Sequence, residues 1–160
     1  MIVSGEDPLF IARRMLILAS EDIGNANPNA LLLANNCFDA VSKIGYPECR
    51  IILSQTAVYL ATSAKSNSTY MAINKAIELV EQTGDKPVPI HLRNAPTKLM
   101  KQIGYGADYR YSHDYANHFV QQQFMPDDLQ GVSLYEPADN RQENSTRERL
   151  RKLWSGIYNY

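Results

Sequence analysis

The sequence predicts an all-α chain, an antiparallel helical array followed by a long irregular segment rich in proline and tyrosine. Three observations carry this. A proline beside a polar residue recurs at Asp7-Pro8, Asn27-Pro28 and Pro47-Glu48, each time just ahead of apolar residues spaced three or four apart. Glycine closes three such runs, at Gly24, Gly45 and Gly84, where a left-handed residue ends a helix without a steric penalty. The connections are only a few residues long, which forces successive helices to lie antiparallel.

Taken in order, Asp7 caps a first helix with Pro8 in its first turn and Ala12, Met15, Leu16 and Ala19 as its apolar stripe. Asn27-Pro28 opens a second helix, striped by Leu31, Ala34, Phe38 and Val41. Pro47-Glu48 opens a third, carrying Ile52, Leu53, Ala57, Leu60 and Ala61 to about Ala64. Ser66 to Ser68 offer caps for a fourth, with Ile73, Ala76, Ile77 and Val80 on one face.

The second half reads differently. DKPVPIHLRNAP holds three prolines and breaks any helix. A short helix from about Pro96 to Ile103 follows, capped by Asn94 and docked by Leu99, Met100 and Ile103. The tyrosine-rich YGADYRYSHDYANHF is expected as a loop laid against the helices, and MPDDLQG as one helical turn. The end of the chain, from Asn140, is a charged helix that Trp154 anchors.

The 160 residues suit one domain, 1–160, with 44% apolar and 21% charged residues, enough for a packed core. A net charge of −1 gives no global attraction to nucleic acid or membrane. No apolar run approaches the roughly 18 residues of a membrane span, and the acidic MIVSGEDPLF does not read as a secretory leader. Cys37 and Cys49 form no CxxC pair and have no histidine at ligand spacing, so they are expected as buried, reduced hydrophobes; a disulfide between neighbouring helices is the alternative. Asn67-Ser-Thr and Asn144-Ser-Thr match the glycosylation pattern, which has no meaning inside the cytoplasm.

Chemistry-bearing motifs are sparse. No glycine loop of the phosphate-binding kinds is present, and Gly104-Tyr105-Gly106 follows a helix, where it reads as termination. His113-Asp114 resembles the paired ligands of metal-dependent phosphohydrolases, but only His91 and His118 remain to complete such a site. No cysteine is paired with a histidine as a nucleophile, and the Glu21-Asp22 and Asp127-Asp128 pairs read as solvated helix ends. Catalytic, cofactor and metal residues are therefore expected to be none.

The basic residues Arg93, Lys98 and Lys101, with Arg147, Arg149 and Arg151 on the terminal helix, are the candidates for touching nucleic acid. Their alternative is a solvated face. Tyr105, Tyr109, Tyr111 and Tyr115 either stack on unpaired bases or, as the favoured reading, pin the loop by packing their rings.

Several long stretches together resemble one family: SGEDPLFIARRMLILASEDIGNANPNAL, YPECRIILSQTAVYLATSAKSN, PVPIHLRNAPTKLMKQIGYGADYRYSHDY, and the YEP from Tyr135 to Pro137. In this order they are similar to the C-terminal region of the MgsA/RarA ATPases, AAA+ proteins related to clamp loaders and to the Werner helicase-interacting protein. The resemblance implies a fragment of a longer, DNA-dependent ATPase, whose ATP and magnesium sites lie in nucleotide-binding and lid domains outside this chain. It implies a helical domain like the clamp-loader C-terminal collar that assembles the ATPase into a homotetramer at stalled replication forks. It also implies contacts with single- or double-stranded DNA and with a single-strand DNA-binding protein, no membrane partner, and a cytoplasmic, nucleoid-associated location. The readings to be tested are thus an oligomerisation domain first, a DNA-binding module second, and a metal phosphohydrolase at His113 and Asp114 as the remote alternative.

Overall fold

The computed structural model describes Met1–Tyr160 and contains no β-strand. Its α-helices are α1 (Pro8–Leu18), α2 (Asn29–Ile44), α3 (Cys49–Thr62), α4 (Ser68–Thr83), α5 (Lys98–Gln102) and α6 (Arg141–Leu153), with single 3-10 turns between them. The chain forms two compact units, Met1–Asn74 with Tyr135–Arg147, and Lys75–Leu134 with Glu148–Tyr160. Helices α4 and α6 each begin in the first unit and end in the second.

In the first unit, α1, α2 and α3 pack on one another pairwise. The Asp7 carboxylate accepts the Leu9 N–H at 3.0 Å and caps α1, as its place before Pro8 predicts. Buried positions on α2 are Ala30, Ala34, Cys37 and Val41, and on α3 Cys49, Leu53, Thr56 and Leu60, the four-then-three spacing of a single helical face. Many of these side chains are small, which lets the helix axes approach closely. One cluster joins Ile11, Ala12, Cys37, Val41, Cys49 and Leu53, and a second joins Ala19, Ile23, Ala30, Ala34 and Leu60. Both cysteines are buried and free.

After α1 the backbone widens into a π-turn, Ala19–Ile23, and then tightens into a 3-10 turn at Gly24–Ala26. Asn27 ties this corner to the end of α3, donating to the Tyr59 hydroxyl at 3.1 Å and to Ser63 Oγ at 3.0 Å.

Three expectations change. Helix α4 forms, but no α4 residue enters either core cluster, and the stripe of Ile73, Ile77 and Val80 is exposed. The packed bundle has three helices, α1, α2 and α3, rather than four. Periodicity marked an apolar side of α4 without saying what covers it. The short helix is only Lys98–Gln102 and is capped by Thr97, whose Oγ1 accepts the Met100 N–H at 3.2 Å, not by Asn94. Leu99 on it and Ile103 just beyond it are exposed rather than docked.

In the second unit, Trp154 is met edge-on by Phe119, Phe124 and Tyr158, at ring-centroid distances of 5.2, 6.1 and 5.4 Å. Gln121 Nε2 donates to the Leu153 carbonyl at 2.7 Å beside them, so Trp154 anchors the end of the chain as its sequence predicts. MPDDLQG contributes the turn Asp127–Leu129. Lys86 pairs there with Asp128 at 2.5 Å, and its hydrogen bond holds that carboxyl below the usual carboxylate range. No helix is long and apolar enough to cross a membrane.

Candidate functional site

The outer face of α2 and α3 is the first surface that the fold leaves unfilled. Leu31-Leu32-Leu33 is a continuous apolar run, yet a helix turns about 100° per residue, and Ala30 and Ala34 already occupy the core side. Leu32 is therefore driven outward and is 64% exposed, and Val58 on α3 is 62% exposed by the same logic. The two helices enclose an open groove of about 560 Å³ floored by Leu32, Leu33, Val58 and Tyr59 and edged by Asn29, Asn36, Gln55 and Thr62. No charged side chain lines it. On α4, Tyr70 and Ile73 are exposed in the first unit, and Ile77 and Val80 in the second.

The polar centre of the first unit is Glu143, a carboxylate with 0% exposure. Asn140 stands just ahead of α6, and its Oδ1 accepts the Glu143 N–H at 3.0 Å. Three residues apart, the two form a variant of the capping box. Asn140 Nδ2 donates back to Glu143 Oε2 at 2.6 Å, while the hydroxyls of Ser68 and Tyr135 donate to Oε1, the latter at 2.8 Å. Ser66 joins through Ser68, 3.0 Å away between hydroxyl oxygens. Burial alone would raise the Glu143 pKa. The hydrogen bonds from Ser66, Ser68, Asn140 and Tyr135 outweigh it and lower the pKa from 4.5 to about 2. The Tyr135 hydroxyl is pushed the other way by its own burial and by the carboxylate it donates to, so the pair is a neutral phenol against an ionised acid. This arrangement binds the start of α4 to the start of α6. It is a tie between elements and presents no reactive atom to solvent.

Sequence reasoning passed over Glu143. The available signal was Asn140-x-x-Glu143, an N-cap followed three residues later by glutamate, lying just after the Tyr135-Glu-Pro stretch.

Of the six basic candidates, Arg147 belongs to the first unit and the other five to the second. Arg147 lies in the first unit, bonded to Asn144 Oδ1 and to the Pro137 carbonyl, and Arg151 is bonded to the Tyr160 carbonyl in the second. Arg93 sits over the Tyr105 ring at 5.2 Å and donates to the Val88 carbonyl and to the Tyr105 hydroxyl. These three are engaged in holding their own loops. Lys98, Lys101 and Arg149 are exposed. Among the four tyrosines, Tyr105 packs, whereas Tyr109, Tyr111 and Tyr115 are exposed rather than pinned. Gly104 and Gly106 lie beyond α5 in turns. His113 lies ring-to-ring with Tyr111 and His118, and no three acidic, histidine or cysteine side chains gather closely enough to hold a metal ion.

Residues 1–154 match the family described as MgsA AAA+ ATPase C terminal. The chain is 40% identical over 154 residues to a replication-associated recombination protein A of Haemophilus influenzae, covering 96% of this chain and 34% of that protein. It is 42% identical to the protein of the same name in Escherichia coli K12, covering 94% of this chain and 34% of the relative. It is 47% identical to an ATPase WRNIP1 of Dictyostelium discoideum, covering 85% of this chain and 16% of that protein. The chain thus spans about a third or less of the relatives it matches.

Proposed function

The chain belongs to the MgsA AAA+ ATPase C-terminal family, and from that premise we propose that it is the self-assembly domain of a clamp-loader-like ATPase acting in replication-associated recombination. The observation that carries this is the uncharged groove between α2 and α3, with Leu32 and Val58 in solvent. Apolar side chains left open in this way gain free energy only when another surface covers them. Tyr70 and Ile73 at the start of α4 supply a second apolar patch in the same unit. Two different apolar patches on one chain are what a head-to-tail interface uses, and such an interface closes into a ring when the rotation allows. In this reading the bundle plays the part of the clamp-loader collar, and ATP and magnesium are handled by the rest of such an ATPase. Glu143 and its donors keep the first unit in shape for assembly.

Light scattering after gel filtration tests the proposal. The expected mass is a multiple of the 18.1 kDa chain, near four times that value. Val58→Glu places a charge in the covered groove, where desolvation makes it costly, and is expected to return the chain to 18.1 kDa with its far-UV circular dichroism unchanged. A parent chain that stays at 18.1 kDa across its soluble range would overturn the assembly reading.

A further inference from the structure

Helix α1 has more apolar surface than its bundle uses. Ile11 and Ala12 are buried in the core, and Leu9, Met15 and Leu16 pack beside the core clusters. On the opposite side Phe10, Ile17 and Leu18 remain 41%, 40% and 37% exposed. A helix that is apolar on two sides gains by having both covered, and the fold covers one.

Arg13 and Arg14 lie among these exposed side chains. A helix turns about 100° per residue, so Phe10, Arg13, Arg14 and Ile17, at offsets of three, four and seven residues, share one face. Both arginines are exposed, and neither forms an ion pair or a side-chain hydrogen bond within the chain. The exposed carboxylates Glu21 and Asp22 follow at the end of the same helix. The face is therefore basic in its middle and acidic at its end.

We infer that this face docks an acidic amphipathic helix of a partner protein, with carboxylates on Arg13 and Arg14 and an apolar stripe over Phe10 and Ile17. Arginine and aromatic side chains dominate the energetics of interfaces, and a guanidinium fork meets a carboxylate through two parallel hydrogen bonds. The two arginines sit midway between Phe10 and Ile17, so apolar and charged contacts alternate at the spacing that a helix presents. A nucleic acid fits less well, because its uniform negative charge would also meet Glu21 and Asp22. A second copy offers no match in the surfaces used for assembly: no charged side chain lines the α2 and α3 groove, and Tyr70 and Ile73 are uncharged. The inference thus stands apart from the assembly reading.

The experiment is fluorescence anisotropy of a labelled model peptide of about 20 residues, an alanine-rich helix with a leucine stripe and a central pair of glutamates. A twin peptide with lysines at those two positions is the control. The expected result is saturable binding of the glutamate peptide alone, weakening as salt rises. Arg13→Glu combined with Arg14→Glu should weaken that binding roughly tenfold or more and let the lysine peptide bind instead. Phe10→Ala should weaken the glutamate peptide roughly tenfold while leaving its salt dependence unchanged. Should the double reversal lose its circular dichroism signal, Arg13→Gln with Arg14→Gln removes the cations without adding charge, and the same weakening is expected. No binding at low salt, equal binding of both peptides, or variants that bind the glutamate peptide as the parent does would each overturn the inference. So would a fall in the chain's own assembled mass on charge reversal, which would make the face a contact between copies. Displacement of the peptide by an oligonucleotide would overturn it too, by making the face a nucleic-acid surface.

Discussion

Glu143→Ala is expected to destabilise the chain by about 3 kcal/mol, read as a lower urea midpoint by circular dichroism. The reason lies in the asymmetry of buried hydrogen bonds. Removing the acceptor strands the donors of Ser68, Tyr135 and Asn140, and each pays desolvation without return. The helix N-terminus also loses a carboxylate that its dipole favours. Glu143→Gln should cost less than alanine but not be neutral. One amide oxygen can replace Oε1, while the new NH2 then faces the Asn140 amide, whose own oxygen is held by the Glu143 N–H.

The same carboxylate makes a pH prediction. Its pKa in the folded chain is about 2, against 4.5 as the ordinary value. Above about pH 4.5 it is ionised in both states, and its contribution is fully present. As pH falls from there toward 2, the unfolded chain takes up the proton first and stability declines. Glu143→Gln lacks this linkage, so the gap between the parent and that variant should narrow between pH 5 and pH 2. A gap of equal size at pH 7 and pH 3 would show that Glu143 titrates normally.

The two halves of the chain differ in how much their sequence revealed, and the cause is physical. Helices α1 to α3 were legible because their start signals and apolar period point to the same elements, Gly45 closes α2, and Asp7 caps where its position beside Pro8 requires. Helix α4 was legible as a helix but not as a surface. A three-four spacing such as Ile73, Ile77 and Val80 is equally suited to a core or to an interface, and only the packing of the other helices separates the two. The tyrosine segment misled because ring burial was assumed from composition, whereas Tyr109, Tyr111 and Tyr115 are exposed. Glu143 escaped notice because its donors come from Ser68, Tyr135 and Asn140, up to 75 residues away, and no local pattern encodes such a convergence.

Gly24→Ala is the most informative single change after Glu143. Gly24 has φ 48° and ψ −132°, a combination essentially reserved for glycine. A Cβ there would stand 2.9 Å from the Ser66 carbonyl oxygen and 3.4 Å from Thr69 Oγ1. The first of these is backbone and is fixed by the Ser66 N–H donating to the Asp22 carbonyl at 2.8 Å, so it cannot swing aside as a flexible side chain would. Strain and displacement together should cost about 2–4 kcal/mol. Gly84→Ala is the control: its φ is also positive, at 70°, but nothing lies within 4 Å of the added methyl, so it should cost only about 1 kcal/mol. The position of Ser66 makes a sharper test. It is both the atom set that Gly24→Ala would push and a member of the hydroxyl pair serving Glu143. The two changes therefore damage one structure, and the double variant should lose less than the sum of the singles, by about 1 kcal/mol. Strict additivity would mean that the corner at Gly24 and the Glu143 tie are independent, and that Ser66 does not connect them.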